Sequence, residues 1–470
     1  MLSFFKINDP LRLIALLFLL ILIRLPIWLS GIPLMSEEIH WITLGQKLAD
    51  GSMMYQDVWD NIAPLSAGVY WFAAKFFGGT QVTFFVIASI LTFFQSFLFN
   101  TMLNRSEAYK QKTFIPGFLY LVFSNISYDF MTLSPILISL TFLLFGLRNI
   151  LRMERTDTEQ SILNTGIFFG LASLAYLPSF SFLLMGIFAL ASFRVTSLRR
   201  LFLAFVGFTI VWGSYFLYLY YNSNITEFVK LCILTITQLE HNFILSWEQM
   251  LILMILPTII FLLGAFRTFS YNSFINSQQS IQQVMLIWVI TASLSIIFSQ
   301  YTASFQLILF VPSLAFFCTH ELLLIRRGIF AESTLWVYCS LLLAIMYTTA
   351  FDILPKKIES PYSNAWSKTI SFGDEIGKSV LVFGTNYDYY QDKKLATPYL
   401  NWRVCQNYFS NVDSYDQLRV IYNEFDQDLP ETIIDSNNQG EQILDFLTII
   451  KDKYERIEMN DGTIIFQKIK

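Results

Sequence analysis

Charged residues are scarce in this sequence. Asp, Glu, Lys and Arg make up 14% of its 470 residues, whereas 54% are hydrophobic. A water-soluble chain of this length needs far more polar surface, so most of it has lipid as its solvent. Histidine is scarcer still. His40, His241 and His320 are the three in the chain, too few for a histidine-rich zinc site. Of the four cysteines, Cys232, Cys318 and Cys339 lie in or beside apolar runs, and one thiol in an aqueous segment, Cys405, cannot staple its own domain. No structural disulfide is expected. The chain has no GxGxxG or GxxxxGKS/T stretch that would cradle a nucleotide. Its net charge is −4, and no basic field points to nucleic acid.

What is abundant is long apolar runs. They recur to residue 350, at about 11–29, 81–102, 114–128, 131–150, 161–176, 178–194, 200–220, 249–266, 282–299, 302–324 and 331–350. Each is read as crossing a hydrocarbon core of roughly 30 Å. The first, LRLIALLFLLILIRLPIWL, exceeds a usual signal-peptide core and lacks a small-residue cleavage site, so it is read as a retained helix. About eleven spans with a cytoplasmic N-terminus place basic residues at every inner turn, among them Arg105, Arg148, Arg199, Arg267, Arg326 and Arg327. The outer loops before the tail keep Lys47, Lys75 and Lys230. That asymmetry is the positive-inside pattern. It puts both the first loop and the C-terminal tail of this multi-pass chain on the outer side, with the N-terminus cytoplasmic.

Two aqueous parts follow. The outer loop 30–80 is expected to carry interfacial helices at 37–50, ending near Gly51, and at 65–78; 222–247 is a third such candidate. Residues 1–351 then form the transmembrane domain and 352–470 a soluble α/β domain. In the latter, SVLVFG (379–384) and ETIID (431–435) read as buried strands and ERIEM with GTIIFQK as a hairpin through Asn460, Asp461 and Gly462. The alternation of strands and helices favours a partly parallel sheet.

The first polar stretch, SEEIHWITLGQKLADGSMMYQDVWDNIAPL (36–65), is the richest in candidate chemistry. Glu37 and Glu38 suit a helix start, where acids meet unpaired N–H groups. They equally suit a site in which a carboxylate deprotonates an acceptor hydroxyl or binds a divalent cation. His40 is one helical turn from Glu37, where it either tunes that group or forms an ordinary surface pair. Asp57 and Asp60 are loop solubilisers or members of a shared polar pocket, and Pro64 makes Ala63 extended. Asp129, between two apolar spans, marks a turn or supplies a second acid near lipid depth. Arg24, inside the first span, snorkels to headgroups or lines a cavity. A leaving phosphate needs a cation, and the outer loops are poor in these.

Taken together, these stretches resemble the GT-C fold of polyprenyl-phosphate-sugar-dependent glycosyltransferases, which include protein O-mannosyltransferases (glycosyltransferase family 39) and the aminoarabinose transferase of lipid A. Glu37-Glu38 fill the family's Asp-Glu slots, Gly51 has the expected spacing, and Tyr55-Gln56-Asp57 matches its Tyr-x-Asp. NIAPL (61–65) stands for Lys-Pro-Pro-Leu, GVYWFAAKFFGG (68–79) leads into the second span, and GIFFGLASLAYLPSFSFLLMG (166–186) resembles the mid-chain helix pair. There are departures: Glu37 replaces Asp, Ile62 replaces a phosphate-contacting Lys, Ala63 replaces the first Pro, and Tyr176 stands where a basic residue is frequent.

The resemblance implies a polytopic α-helical membrane protein that transfers a sugar from a polyprenyl-phosphate donor to an outer-face acceptor. Glu37 and Asp129 would be catalytic, or would ligate Mg2+ or Mn2+. Arg24, Glu38, His40, Tyr55, Asp57, Asp60 and Lys75 would contact substrate or lipid phosphate. The partners implied are membrane lipid, a lipid-linked sugar and a periplasmic acceptor or envelope protein. The departures keep a second reading open: a catalytically inactive GT-C-like component of a cell-envelope assembly, a secretion complex or a gliding complex.

Overall fold

The computed structural model describes the chain apart from residues 32–33, 154–157, 193–197, 235–241, 244–245, 272–273, 354–361, 363–364, 368–376, 410–414, 437–439, 460–462 and 470. His241 and the hairpin turn at 460–462 therefore lie outside the described residues. The fold divides into two compact units, each discontinuous in sequence. One comprises Met1–Ile32, Phe84–Leu217 and Leu239–Asn364; the other comprises Pro33–Thr83, Tyr218–Gln238 and Ala365–Lys470.

The first unit is helical. Among the described residues, eight helices are long and apolar enough to cross a membrane: Leu11–Leu29, Gln81–Arg105, Pro135–Arg152, Leu198–Tyr221, Glu248–Phe269, Asn276–Ile297, Ser304–Leu324 and Gly328–Ala350. Of the other three expected spans, two have a different form. The run at 114–128 is helical over Ile115–Phe123 alone, since Ser124 and Asn125 turn the chain. The run at 178–194 is a 3₁₀ turn, Leu177–Ser181, followed by the eleven-residue helix Phe182–Ser192. The run at 161–176 falls in the helix Thr158–Ala175. Pro135–Arg152 and Ser304–Leu324 are buried over most of their length, while Leu198–Tyr221 shows most of its surface outward. Such an apolar outer face suits lipid. Helices Thr158–Ala175 and Leu198–Tyr221 approach through glycine: a Cβ on Gly166 would lie 2.0 Å from the Ala204 carbonyl oxygen. That is the close backbone contact small residues allow between spans. A short parallel pair, β1 (Asn242–Phe243) with β2 (Tyr301–Thr302), completes this unit's regular structure among the described residues.

The second unit is α/β. Its five-stranded sheet has the order β4-β3-β5-β7-β6, from β3 (Ser379–Phe383), β4 (Lys394–Leu395), β5 (Thr432–Asp435), β6 (Tyr454–Glu458) and β7 (Ile464–Lys468). β3 runs parallel to β4 and β5, whereas β5–β7 and β6–β7 are antiparallel. Val380, Leu381, Val382 and Phe383 are all buried, as an uninterrupted apolar central strand should be when both faces are covered.

The helix Ser36–Ala49 belongs to this unit. Ser36 N–H donates to the Ala365 carbonyl at 3.0 Å, Ser367 N–H to that of Leu34 at 2.8 Å, and Met35 bridges Trp366. Lys47 Nζ donates to the Leu395 carbonyl at 3.0 Å and pairs with Asp428 at 2.8 Å. An interfacial helix exposes one face to water, but here residues 37–45 are all buried. The helix is thus a packed element of the α/β unit, and the sequence expectation is corrected for it. Pro64–Phe77 does present Trp71, Phe72, Phe76 and Phe77 outward, as an interfacial helix would.

Residues of one compact unit share one compartment. Cysteines introduced at Gln56 and Lys394, both exposed, should react with a membrane-impermeant maleimide from the same face in intact cells and inverted vesicles. The four native thiols are buried and provide a low background. Reaction from opposite faces would refute the shared unit.

Candidate active site

In the α/β unit the helix Ser36–Ala49 starts after an extended Met35, with Glu37 and Glu38 in its first turn. Helical spacing brings Glu37 and His40 to one face. The loop after this helix turns through Gly51 (φ +109°) and Tyr55 (φ +70°). It is fixed by Tyr55 O–H donating to the Ile62 carbonyl at 2.7 Å and Met53 N–H donating to Asp57 Oδ2 at 2.7 Å. Its return carries Asp60 under His40, where Asp60 Oδ2 lies 2.7 Å from His40 Nε2. Asp60 Oδ1 accepts from its neighbour Asn61 N–H at 2.7 Å and from Asn401 Nδ2 at 2.9 Å. Trp59 N–H donates to the Pro398 carbonyl at 2.7 Å, so the loop and residues 398–401 are laced together. Just beyond, at the start of the helix Trp402–Phe409, Arg403 places Nη1 and Nη2 each 3.3 Å from Glu37 Oε1. The His40 ring stacks on Tyr387, centroids 4.6 Å apart.

These contacts divide two adjacent carboxyls. Burial alone would raise Glu37, but the charge of Arg403 and the pull of His40 outweigh it and leave the group below its ordinary value. Burial raises Glu38 to about 8, and its Oε2 meets no hydrogen-bond partner among the described residues. Near neutral pH, Glu37 is a carboxylate and Glu38 a carboxylic acid. Burial opposes charge on His40 too, yet Asp60 and then Glu37 raise it to about 9. His40 Nδ1 is 3.8 Å from Glu37 Oε2, so that contact is one of charge. Two carboxylates thus face an imidazolium and a guanidinium, and the cluster is neutral. Glu37 side chain is 11% exposed and that of Arg403 24%, against 3% for His40 and 0% for Asp60. The Glu37–Arg403 edge is the least buried part of the cluster.

The other expected residues lie in the helical unit or on the surface. Asp129 sits in the 3₁₀ turn Tyr128–Met131. The hydroxyls of Ser127 and Ser304 donate to its two oxygens, and Tyr362 O–H reaches Oδ1 at 3.5 Å. Burial raises its carboxyl to about 6 against those hydrogen bonds. It is 1% exposed, both oxygens accept hydroxyl hydrogen bonds, and these contacts tie the turn to Ser304 and Tyr362. Arg24 does not snorkel. It is buried, and Nε donates to Asn125 Oδ1 at 2.8 Å, Nη1 to Ser89 Oγ at 2.8 Å and Nη2 to Thr92 Oγ1 at 3.1 Å. It closes one wall of an apolar cavity of about 340 Å³ formed with Leu17, Ile21, Trp28, Phe85 and Ile90. Asp57 and Lys75 are exposed and serve local turns, Lys75 donating to the Ala49 carbonyl at 3.3 Å.

A divalent cation does not fit these donors. Glu37 already lies between two cationic side chains, and Asp129 receives hydroxyl donors at both oxygens. Sequence reading missed Arg403, Asn401, Tyr387 and Tyr362. Each is distant in the chain from the residue it serves, and none sits in a motif. An arginine in the first turn of a short tail helix is the one faint signal.

No protein-family model matches the sequence, and no curated protein matches it. Solved structures do resemble it. Cupriavidus metallidurans ArnT bound to undecaprenyl phosphate superposes with a TM-score of 0.59 at 10% identity, over 96% of this chain and 98% of that one. The same enzyme in the apo state gives 0.58 at 11% identity, over 96% and 97%. The chain therefore shares the fold of that protein along nearly its whole length.

The ion cluster makes stability depend on pH with a defined sign. His40 is raised, so its contribution is complete below its unfolded value of about 6.5 and fades as pH rises toward 9. Glu37 is depressed, so its contribution is complete above the ordinary carboxylate range and fades only as pH falls through its folded value. His40 should contribute a loss on the order of 2–3 kcal/mol between pH 6.5 and 9 in the detergent-solubilised protein. Glu38, raised to about 8, sheds stability in the same window until it ionises, so His40→Gln should remove the His40 share and leave a shallower slope. Parallel curves for the two proteins in thermal unfolding would refute the pairing.

Proposed function

We propose that the chain is an integral membrane glycosyltransferase that moves a sugar from a polyprenyl-phosphate donor to a hydroxyl-bearing acceptor at the outer face of a bacterial inner membrane. The observation that carries this reading is the Glu37–Arg403 pair, a partly exposed carboxylate joined to a guanidinium, in a chain with the fold of ArnT. In the proposed reaction the acceptor oxygen attacks the anomeric carbon. The bond from that carbon to the phosphate oxygen breaks, and its electron pair leaves with the polyprenyl phosphate. The acceptor proton passes to Glu37, whose ionised resting state makes it a ready acceptor as the hydroxyl acidifies. Arg403 supplies the cation that the outer loops lacked. Its guanidinium offers paired donors to a phosphate. Sharing Arg403 with the donor would relax its hold on Glu37 and raise that carboxyl, making it a better base once substrate is bound. His40 and Asp60 are positioning residues behind Glu37.

A second reading has its own support. Every charge in the cluster has a partner within the α/β unit, as in a structural joint, and this fits a non-catalytic envelope component. A fold hosts many functions, so the site must decide.

Replacing Glu37 with Gln should lower transfer from a lipid-linked sugar by about 10²–10⁴-fold with the fold intact by thermal unfolding. Undiminished turnover would refute the assigned role. If the E37Q protein instead rescues growth fully and copurifies with one envelope protein in fixed ratio, the joint reading stands. Arg403→Gln should move the acidic limb of kcat/KM to higher pH, because Glu37 loses the charge that depresses it; an unmoved limb would remove Arg403 from the mechanism.

A further inference from the structure

At one end of the helical unit, three packed spans converge with their basic residues. Trp247–Phe269 carries Arg267 in its last turn, and Ser304–Leu324 and Gly328–Ala350 are joined through Arg326 and Arg327. The three guanidinium groups border one open cavity of about 640 Å³, together with Tyr271 and Phe330. Lys110 adds a fourth positive charge at its edge, donating to Tyr271 O–H at 2.9 Å.

Positive charge there is poorly balanced. The acid that faces the cluster, Glu321, has a side chain only 6% exposed and lies 3.9 Å from Arg267. Both of its oxygens are also within reach of Tyr338 O–H, at 3.0 and 3.2 Å. Among the described residues Arg326 and Arg327 have no carboxylate partner, and Arg327 lies over the Phe330 ring at 5.8 Å. A positive-inside bias explains basic residues at span ends, but it does not require three guanidinium groups to share one hollow, where they repel each other. An anion in the hollow removes that repulsion.

We infer that this cavity binds the phosphate headgroup of an anionic membrane lipid. Arginine forks match phosphate oxygens in pairs, and basic hollows between spans are suited to such headgroups. The neighbouring surface selects a lipid over a soluble phosphate: Ile329 and Phe330 are 85% and 58% exposed, beside the charges and at the end of a span, where glycerol and acyl carbons would lie. The site is independent of the proposed sugar transfer, which it leaves unchanged.

The test uses the purified full chain in neutral detergent, offered equal amounts of phosphatidylglycerol and phosphatidylcholine, with retained lipid read by native mass spectrometry. The wild type should retain phosphatidylglycerol preferentially. Arg326→Gln with Arg327→Gln should reduce that preference by about fivefold for each charge removed. Arg199→Gln with Arg200→Gln, which removes two charges from the start of the span Leu198–Tyr221, should leave it intact. Arg326→Lys with Arg327→Lys keeps charge without the fork and should retain an intermediate amount, which gives a reading if the glutamine protein fails to fold. An unchanged preference in the glutamine protein, or retention by the lysine protein equal to the wild type, would overturn the inference. So would an equal loss in the control, or displacement of the lipid by soluble glycerol phosphate at matched concentration.

Discussion

A charge can be buried only if something else bears its desolvation, and the α/β unit meets that condition with a four-membered ion cluster. Glu37, His40, Asp60 and Arg403 come from a helix start, a loop return and a second helix start. Removing one member leaves its partner buried and uncompensated, a change that costs roughly 3–5 kcal/mol in deep sites and less here, where Arg403 is partly solvated. The loop conformation through Gly51 and Tyr55, the lacing of Trp59 to Pro398 and the seat of the helix Ser36–Ala49 all have to agree with that cluster.

The helical unit meets the same condition with neutral dipoles. Asp129 is surrounded by hydroxyls from Ser127, Ser304 and Tyr362, and Arg24 by oxygens from Asn125, Ser89 and Thr92. Such contacts stabilise a buried charge without a second ion. They also consume the lone pairs or N–H groups that a substrate would need. The difference separates two kinds of charged residue that look alike in sequence: those that hold the fold, and the Glu37–Arg403 edge, which keeps some exposure and a polarised carboxylate.

Glu37 and Glu38 make the same point within one dipeptide. Successive residues on a helix point about 100° apart, so one carboxyl meets a guanidinium, while for the other burial outweighs a backbone hydrogen bond from Met35. Environments that drive neighbouring acids in opposite directions are a feature of catalytic sites, although structural networks produce it too. Here it accompanies a fold shared along nearly the whole chain with ArnT, a protein only 10% identical. Fold is evidently maintained by apolar pattern and packing far more than by residue identity.

Local chemistry made much of this legible in sequence. Pro64 forces Ala63 into an extended conformation (ψ 145°) before a helix, Gly51 takes the positive φ after one, and SVLVF reads as a covered strand because nothing in it needs water. Apolar length alone marked the spans, and Glu37 and His40 are neighbours by helical period. What remained hidden depended on contacts that no period encodes. Arg403 reaches Glu37 across 366 positions, and Tyr362 reaches Asp129 across 233. Hydropathy reported that 114–128 and 178–194 are apolar, but not that they break into short helices and turns. Sequence by itself determined which segments avoid water and where Gly51 and Pro64 bend the chain, because those are properties of consecutive residues. Only the tertiary structure decided which charges meet, because the energy that pairs them depends on distance and burial in space.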